Sequence, residues 1–168
     1  MSFKIRVARS EDFAAIGELT VAAYRGDGQT RDGHPYEPVL LDAAGRSGAG
    51  TLLLCEEAGA SDAGGAILGA VLFVQAGSEY AELSREGEAE FRMLAVAPWA
   101  QRRGVGEALV NACLQRAREL GCASVVICVR DFAADAGRLY KRMGFVREPS
   151  LDWSPYEGVL LLGLRYEL

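Results

Sequence analysis

Several features that mark common classes of protein are missing from this 168-residue sequence. Acidic residues outnumber basic ones, and the net charge of −5 argues against general nucleic-acid binding. No run of about 18 apolar residues occurs, so no membrane span is expected. The opening residues, MSFKIRVARSEDF, lack the apolar segment of a secretory signal peptide. We therefore expect a cytoplasmic protein that binds neither nucleic acid nor membrane.

Disulfide and metal-binding patterns are also missing. The four cysteines, Cys55, Cys113, Cys122 and Cys128, form no CxxC pair, and the only histidine is His34. A zinc site needs closer ligand spacing and more imidazole than this. Buried free thiols are the simplest interpretation of the cysteines, and a catalytic thiol is the less favoured alternative. The sequence predicts no metal site and no need for an oxidising compartment.

The length and the hydrophobic content of 50% predict one domain over residues 1–168. Alternating and β-branched apolar runs predict strands at 3–8, 51–58, 66–76, 90–96, 123–129, 145–147 and 158–168, with a turn at 59–65. Apolar residues at helical spacing predict helices at about 10–24, 38–44, 104–120 and 133–143. Ser10 and Asp131 are the expected N-caps of the first and last helices, and Gly45 is expected to end the second.

The most informative stretch runs from Glu90 to Ala117. It reads EFRMLAV, then APWAQRR, then GVGEALVNACLQRA, which predicts a buried strand, a basic loop and a helix that starts on glycines. Backbone N–H groups at a helix start have no intrahelical partner, and the helix dipole adds positive potential there. Gly104 and Gly106 allow a close approach to the backbone. This loop is therefore predicted to bind a diphosphate.

The common nucleotide-binding motifs do not fit the loop. No Lys follows either glycine, as a P-loop requires, and the GxGxxG fingerprint is incomplete. The remaining pattern, Gln101-x-x-Gly104-x-Gly106 after an apolar strand, resembles the acetyl-CoA loop of the GNAT superfamily of N-acetyltransferases. GRLYKRMGF, one strand and one helix downstream, resembles the second signature of that family. The order of predicted elements extends the resemblance over nearly the whole chain.

The resemblance implies an α/β (α+β) GNAT acyl-CoA N-acyltransferase fold, with a mixed sheet of about 6–7 strands and about 4 helices. It also implies acetyl-CoA as cosubstrate, with its pantetheine arm between two diverging central strands. The backbone groups expected to pair with that arm are those of Leu94, Ala95 and Val96. The residues expected around the phosphates are Gln101, Arg102, Arg103, Gly104, Val105, Gly106 and Glu107.

Two glutamates are candidates for the general base that the resemblance implies. Glu90 occupies the strand position where several family members carry this base, and Glu88 lies one step further out on the same face. A partly dry carboxylate can take a proton directly or through water. The alternatives for Glu90 are an exposed glutamate at the strand start or an ion pair with Arg92.

The candidate general acid is Tyr140, in the segment LYKRMGF. Family members place a tyrosine near the thioester sulfur, and a phenol can protonate a departing thiolate. The alternative is an aromatic side chain that only packs under the last helix. One position departs from the family pattern, because Ala133 stands where many members carry an Asn that binds the cofactor arm.

The acceptor is expected to be a small-molecule amine or a peptide, bound by the first two helices and the loops at 77–88 and 148–157. Candidate lining aromatics are Tyr24, Tyr36, Tyr80, Trp153 and Tyr156. A group of glutamates, Glu79, Glu82, Glu86 and Glu88, suits a cationic amine or forms a solvated acidic loop. Two alternatives stay open: a non-catalytic GNAT-fold protein that senses or binds CoA, and a nucleotide-binding protein of another fold. Assembly as a homodimer is a further expectation.

Overall fold

The computed structural model describes residues 2–59 and 64–168. Its seven strands are β1 (Phe3–Val7), β2 (Thr51–Glu57), β3 (Ile67–Gln75), β4 (Glu88–Val96), β5 (Ser124–Arg130), β6 (Val146–Arg147) and β7 (Leu161–Glu167). Its five α-helices, within the described residues, are α1 (Phe13–Gly26), α2 (Glu37–Leu41), α3 (Ala43–Ala49), α4 (Val105–Glu119) and α5 (Ala134–Met143). The predicted strands and helices are thus present, and most boundaries agree within two or three residues.

The strands hydrogen-bond in the order β1-β2-β3-β4-β5-β7-β6. The β1–β2, β2–β3, β5–β7 and β6–β7 pairs are antiparallel, whereas β4 and β5 run parallel. This arrangement confirms the predicted mixed sheet and the predicted strand–helix–strand unit around α4. By contact density the chain divides into two compact units, Met1–Phe73 with Met93–Cys113, and Val74–Arg92 with Leu114–Leu168.

The core of the first unit forms where α1 and α3 bury apolar side chains against β2 and β3. Ile16, Leu52, Leu54 and Ala70 are at most 2% exposed. A polar cluster lies in the same unit, because Arg6 binds the carboxylates of both Asp12 (2.8 and 3.0 Å) and Glu56 (3.0 and 3.1 Å).

The loop between α1 and α2 is organised by one buried carboxylate. Glu37 accepts hydrogen bonds from Arg25 at 2.6 and 2.8 Å and from the Gly33 N–H at 3.2 Å. His34, in the same loop, accepts the N–H of Tyr36 on its Nδ1 at 3.0 Å. This loop, although rich in glycine and proline, is therefore held by specific contacts.

The second unit is built on an aromatic cluster. Phe145 stacks edge-on against Phe91 (6.1 Å) and Tyr140 (5.5 Å), and it contacts Tyr166 at 5.2 Å between ring centroids. α5 ends at Gly144, whose φ of 107° is left-handed, as the predicted helix stop requires. None of the helices within the described residues combines the length and apolar character needed to cross a bilayer.

Three local predictions were wrong, each for a physical reason. Gly45 does not end the second helix, because Asp42 starts a new one, α3, and accepts the Gly45 N–H at 2.9 Å. Ser10 does not cap α1; it starts a 3₁₀ turn, and the Asp12 carboxylate binds the Arg9 N–H instead. The N-cap of α5 is Ala133 and not Asp131. Residues 60–63 of the predicted turn lie outside the described residues.

Candidate active site

The predicted phosphate loop lies in the first unit, between β4 and α4. Arg102 has a φ of 62° and Gly104 a φ of 84°, so two of its residues adopt the left-handed conformation within three positions. Such alternation turns successive N–H groups toward one side and forms an anion-binding concavity. α4 begins at Val105, so the N–H groups of its first turn are directed toward the same loop. The backbone here has the features of an anion site.

The two arginines of the loop have different surroundings. The Arg102 residue is exposed, whereas Arg103 is half-buried and its Nη2 donates to Glu57 Oε1 at 3.1 Å. Because Glu57 stands at the end of β2, it fixes Arg103 against the sheet. Open space surrounds Gly104, where an added Cβ would meet its nearest atom, on Phe3, at 3.9 Å.

The β4 segment before the loop contains an irregularity at Met93. Its φ of 54° is left-handed, which is uncommon for a residue with a side chain and interrupts the strand pleat. The Arg46 guanidinium lies 3.5 Å from Met93 Sδ and also binds the carbonyl oxygens of Leu40 (2.8 Å) and Val39 (3.2 Å). Arg46 is only 1% exposed, so a buried cation supports the strand at the point where its geometry changes.

The residues after Met93 approach β3 at a glycine. A Cβ added to Gly69 would lie 2.7 Å from the Ala95 carbonyl oxygen, 3.0 Å from Val105 Cγ1 and 3.1 Å from Leu109 Cδ1. Only a residue without a side chain therefore allows β3, β4 and α4 to come this close.

In the second unit, the carboxylate of Glu90 is completely buried. It accepts backbone hydrogen bonds from Glu82 (3.1 and 3.2 Å), Leu83 (2.9 Å) and Ser84 (2.9 Å). This burial overturns the sequence-based alternative of an exposed glutamate at the strand start. The carboxylate holds the loop that precedes β4.

Glu88 forms an ion pair. Its carboxylate accepts hydrogen bonds from Arg165, from the Ser124 hydroxyl at 2.9 Å and from the Arg85 N–H at 2.9 Å. Burial alone would raise the pKa of Glu88, but the hydrogen bonds from Arg165, Arg85 and Ser124 together outweigh it and lower the pKa. A lowered pKa makes a carboxylate a weaker proton acceptor, so this environment disfavours Glu88 as a base.

Tyr140 is buried, with 6% of the residue exposed, and its ring packs against Phe91 and Phe145. Neighbouring strand residues project to opposite faces, and Phe91 follows Glu90 in β4. Tyr140 therefore lies on the face of the sheet opposite to the Glu90 carboxylate.

The face of the sheet that carries Glu90 also carries Arg92 and Cys128. Arg92 donates to the Tyr80 carbonyl at 3.0 Å and lies 3.5 Å from Glu82, so part of the predicted acidic group is neutralised. Burial raises the pKa of the Cys128 thiol to about 11, although an interaction with the Trp153 side chain acts to lower it. Burial likewise raises the pKa of Cys55 to about 11. Neither thiol therefore has the lowered pKa of a reactive cysteine.

The candidate aromatic residues are only partly brought together. Tyr24 and Tyr36 contact each other in the first unit, with ring centroids 6.3 Å apart. In the second unit Trp153 pairs with Leu161, whereas Tyr156 is 58% exposed. Within residues 2–59 and 64–168, no group of three or more His, Cys, Asp or Glu side chains is arranged to hold a metal ion.

Several residues of the site were missed by the sequence reasoning. Three of them have partners that are distant in the sequence, and no local sequence pattern predicts such pairs: Glu57, Arg46 and Arg165. Gly69 had a signal, because a glycine inside the apolar run ILGAVLF marks a bulge or a close backbone approach.

Comparisons with known proteins give a family match and several similar folds. The model of the acetyltransferase (GNAT) family matches residues 13–145. Among solved structures, the ribosomal-protein-S18-alanine N-acetyltransferase of Escherichia coli superposes with a TM-score of 0.69 at 17% identity, covering 99% of this chain and 94% of its own. A search of curated proteins finds no match.

Two further structures with similar folds contain ligands. The PaiA N-acetyltransferase of Thermoplasma acidophilum, in complex with coenzyme A, gives a TM-score of 0.71 at 14% identity and covers 99% of this chain and 100% of its own. A protein assigned as an acetyltransferase from Salmonella typhimurium, with its cofactor acetyl-CoA, gives 0.67 at 23%, covering 100% and 95%. At these identities the likeness concerns the fold.

Proposed function

Because the chain belongs to the acetyltransferase (GNAT) family and is therefore an acyltransferase, we propose that it transfers the acetyl group of acetyl-CoA to a primary amine. The amine attacks directly, without a covalent intermediate on the enzyme. The observation that carries this proposal is the loop between β4 and α4, where two left-handed residues precede the first turn of a 15-residue helix.

The residues present fit the diphosphate of the cosubstrate. The N–H groups of residues 102–107 supply hydrogen-bond donors, and the left-handed residues of the loop turn these donors toward one side. Arg102 adds an exposed positive charge. Gln101 leads into the loop, and Gly104 and Gly106 leave room near the backbone. Glu107, in the first turn of α4, contributes through its backbone rather than its side chain, since a carboxylate repels phosphate.

The backbone irregularity at Met93 supports a site for an extended arm in the first unit. Its φ of 54° interrupts the strand pleat just before residues 94–96. We propose that Leu94, Ala95 and Val96, which follow the irregularity at Met93, offer their backbone groups to the pantetheine arm. Ala133, at the N-cap of α5, has only a methyl side chain, which cannot supply an amide contact.

Acetyl-CoA supplies an acyl group that is activated as a thioester. The chain then has to take a proton from the acceptor amine and give one at the leaving sulfur. Tyr140 is the proposed donor, because a phenol is protonated at neutral pH and can hydrogen-bond the departing thiolate and give it a proton. Its buried ring fixes the hydroxyl by packing.

That Glu90 accepts the proton stays a prediction. The surroundings of its carboxylate limit how it could do so. A carboxylate that is fully buried and accepts three backbone N–H groups reaches an amine only through a relay or after the 82–84 segment moves. We propose that Glu90 first holds this segment, which belongs to the predicted acceptor site. Glu88, tied to Arg165, is the weaker candidate.

The acceptor we propose is a small-molecule amine or a peptide, since the family and its named neighbours act on amines. A single domain over residues 1–168 is part of this proposal, and it is supported by the family match, which includes residues of both compact units. A cytoplasmic location and a homodimer stay predictions from the sequence. The sensor that binds CoA without turnover, an alternative from the sequence, is set aside because the family match makes the chain an acyltransferase.

Calorimetric titration with CoA tests the loop. Gly104→Glu places a carboxylate where phosphate is expected and should abolish CoA binding in a folded protein. The matched control is Gly121→Glu, the same substitution just after α4 at a glycine with a φ of 75° and nothing within 4 Å of its added Cβ. Unchanged CoA affinity in Gly104→Glu would remove the loop from the proposed site.

A further inference from the structure

We infer that Gly69 is a positioning residue for the cosubstrate, an inference that rests on the proposed function. Gly69 lies inside β3, opposite Cys55 of β2, in a strand whose neighbouring positions are fully buried. Glycine weakens a strand interior because it has no side chain to pack. Its presence there points to a neighbour that needs the space.

Three groups converge on that space, and they belong to both predicted parts of the cosubstrate site. The Ala95 carbonyl oxygen is in the β4 segment assigned to the pantetheine arm, and it would lie 2.7 Å from an added Cβ. Val105 Cγ1, at 3.0 Å, and Leu109 Cδ1, at 3.1 Å, belong to the start of α4, which follows the phosphate loop. Gly69 therefore sits between the strand and the helix that the two parts of one ligand would use.

A methyl group at this position cannot be accommodated without movement. The contact with Ala95 involves a backbone atom, and it cannot be relieved by rotating a side chain. Two residues after Ala95, the Ala97 N–H donates to the Leu68 carbonyl at 2.8 Å, which also holds the end of β4 beside β3. An added Cβ therefore has to displace the 94–96 segment, the first turns of α4, or both. The distance between the segment that would bind the pantetheine arm (94–96) and the loop that would bind the phosphates (102–107) would change.

A changed spacing predicts a specific pattern of affinities. CoA joins the two parts covalently, so it gains from both only when their spacing matches its length. Pantetheine and adenosine 3′,5′-bisphosphate each occupy one part and are insensitive to the spacing. Gly69→Ala should lower CoA affinity roughly tenfold or more, whereas the affinity of each fragment should change less than about twofold.

The test is calorimetry for CoA and competition titration for the two fragments, on wild type and Gly69→Ala. Gly48→Ala, at an exposed glycine of α3 with nothing within 4 Å of its added Cβ, is the control for the substitution itself. Equal losses for CoA and both fragments, or no loss for any of them, would overturn the positioning role. Wild type that binds no CoA at all would instead remove the proposed function.

If Gly69→Ala shows no cooperative thermal transition, Val105→Ala provides the same comparison from the helix side. It shortens one of the two α4 side chains that pack against Gly69, so the start of α4 is held less closely to β3, by Leu109. CoA affinity should again fall more than fragment affinity, by a smaller factor. A uniform change across the three ligands in this variant would equally overturn the inference.

Discussion

Replacing Glu90 by Gln tests what the buried carboxylate does. The carboxamide keeps the shape and one oxygen, but the three N–H groups of residues 82–84 then face a neutral acceptor and one NH₂ group. A hydrogen bond to a charged acceptor contributes roughly 1 kcal/mol more than one to a neutral acceptor. Three such donors give a loss of about 3 kcal/mol in the free energy of unfolding. For a chain of this size that corresponds to a decrease of about 6–12 °C in Tm.

The kinetic expectation follows from the same contacts. If Glu90 mainly orders the segment, Glu90→Gln should lower kcat while the acidic limb of the pH–rate profile stays in place. This differs from the sequence-based hypothesis, in which a lost base flattens that limb. Urea unfolding and initial rates from pH 5 to 9 measure both quantities. The control is Glu119→Gln, at an exposed glutamate of α4 outside the predicted acceptor site, which loses the same charge.

One combination of results would refute this reasoning. Glu90→Gln with an unchanged Tm and a flattened acidic limb would mean that the carboxylate accepts the proton and that the backbone contacts contribute little. A lower Tm with an unchanged acidic limb of the pH–rate profile would mean that another group accepts the proton from the amine.

Three other predictions follow from the described contacts. Tyr140→Phe keeps the ring packing on Phe91 and should lower kcat roughly ten- to a thousandfold with little change in CoA affinity; full activity would strike Tyr140 from the catalytic residues. Asp12→Asn should destabilise the protein by about 1–3 kcal/mol at pH 7, because the hydrogen bonds from Arg6 lower the pKa of Asp12. That stabilisation is present above pH ~4 and is lost as pH falls through the lowered pKa. In urea unfolding the difference from wild type should therefore shrink toward pH 3, and a difference independent of pH would contradict this. Alkylation by iodoacetamide at pH 8 should modify half-exposed Cys122 before Cys55 and Cys128, whose thiols have a pKa of about 11; peptide mass mapping reads the order, and equal rates would contradict it.

Local sequence patterns predicted the elements and the phosphate loop because both depend on neighbouring residues. The glycines at 104 and 106, the apolar strand before them and the periodic helix after them are all within one short stretch. The stop of α5 at Gly144 was predictable for the same reason, since a left-handed residue there favours glycine.

The surroundings of the candidate carboxylates could not be predicted in this way. Glu90 is held by backbone N–H groups of residues 82–84, and a backbone donor leaves no trace in the residue types around it. Glu88 meets Arg165, 77 positions along the chain. Burial and partner choice at such positions depend on how the strands are ordered in the sheet, which local periodicity does not specify.

The ion pairs described above, at Arg6, Arg25, Arg103 and Arg165, all use arginine as the cation. A guanidinium stays protonated at any physiological pH and is not a nucleophile, whereas the amine of a lysine is readily acylated. Only Lys4 and Lys141 supply side-chain amines, and both are exposed. An acetyltransferase stored with an activated acyl donor can thus acquire adducts at these two side chains and at the amino terminus, while the salt bridges of its fold stay chemically intact.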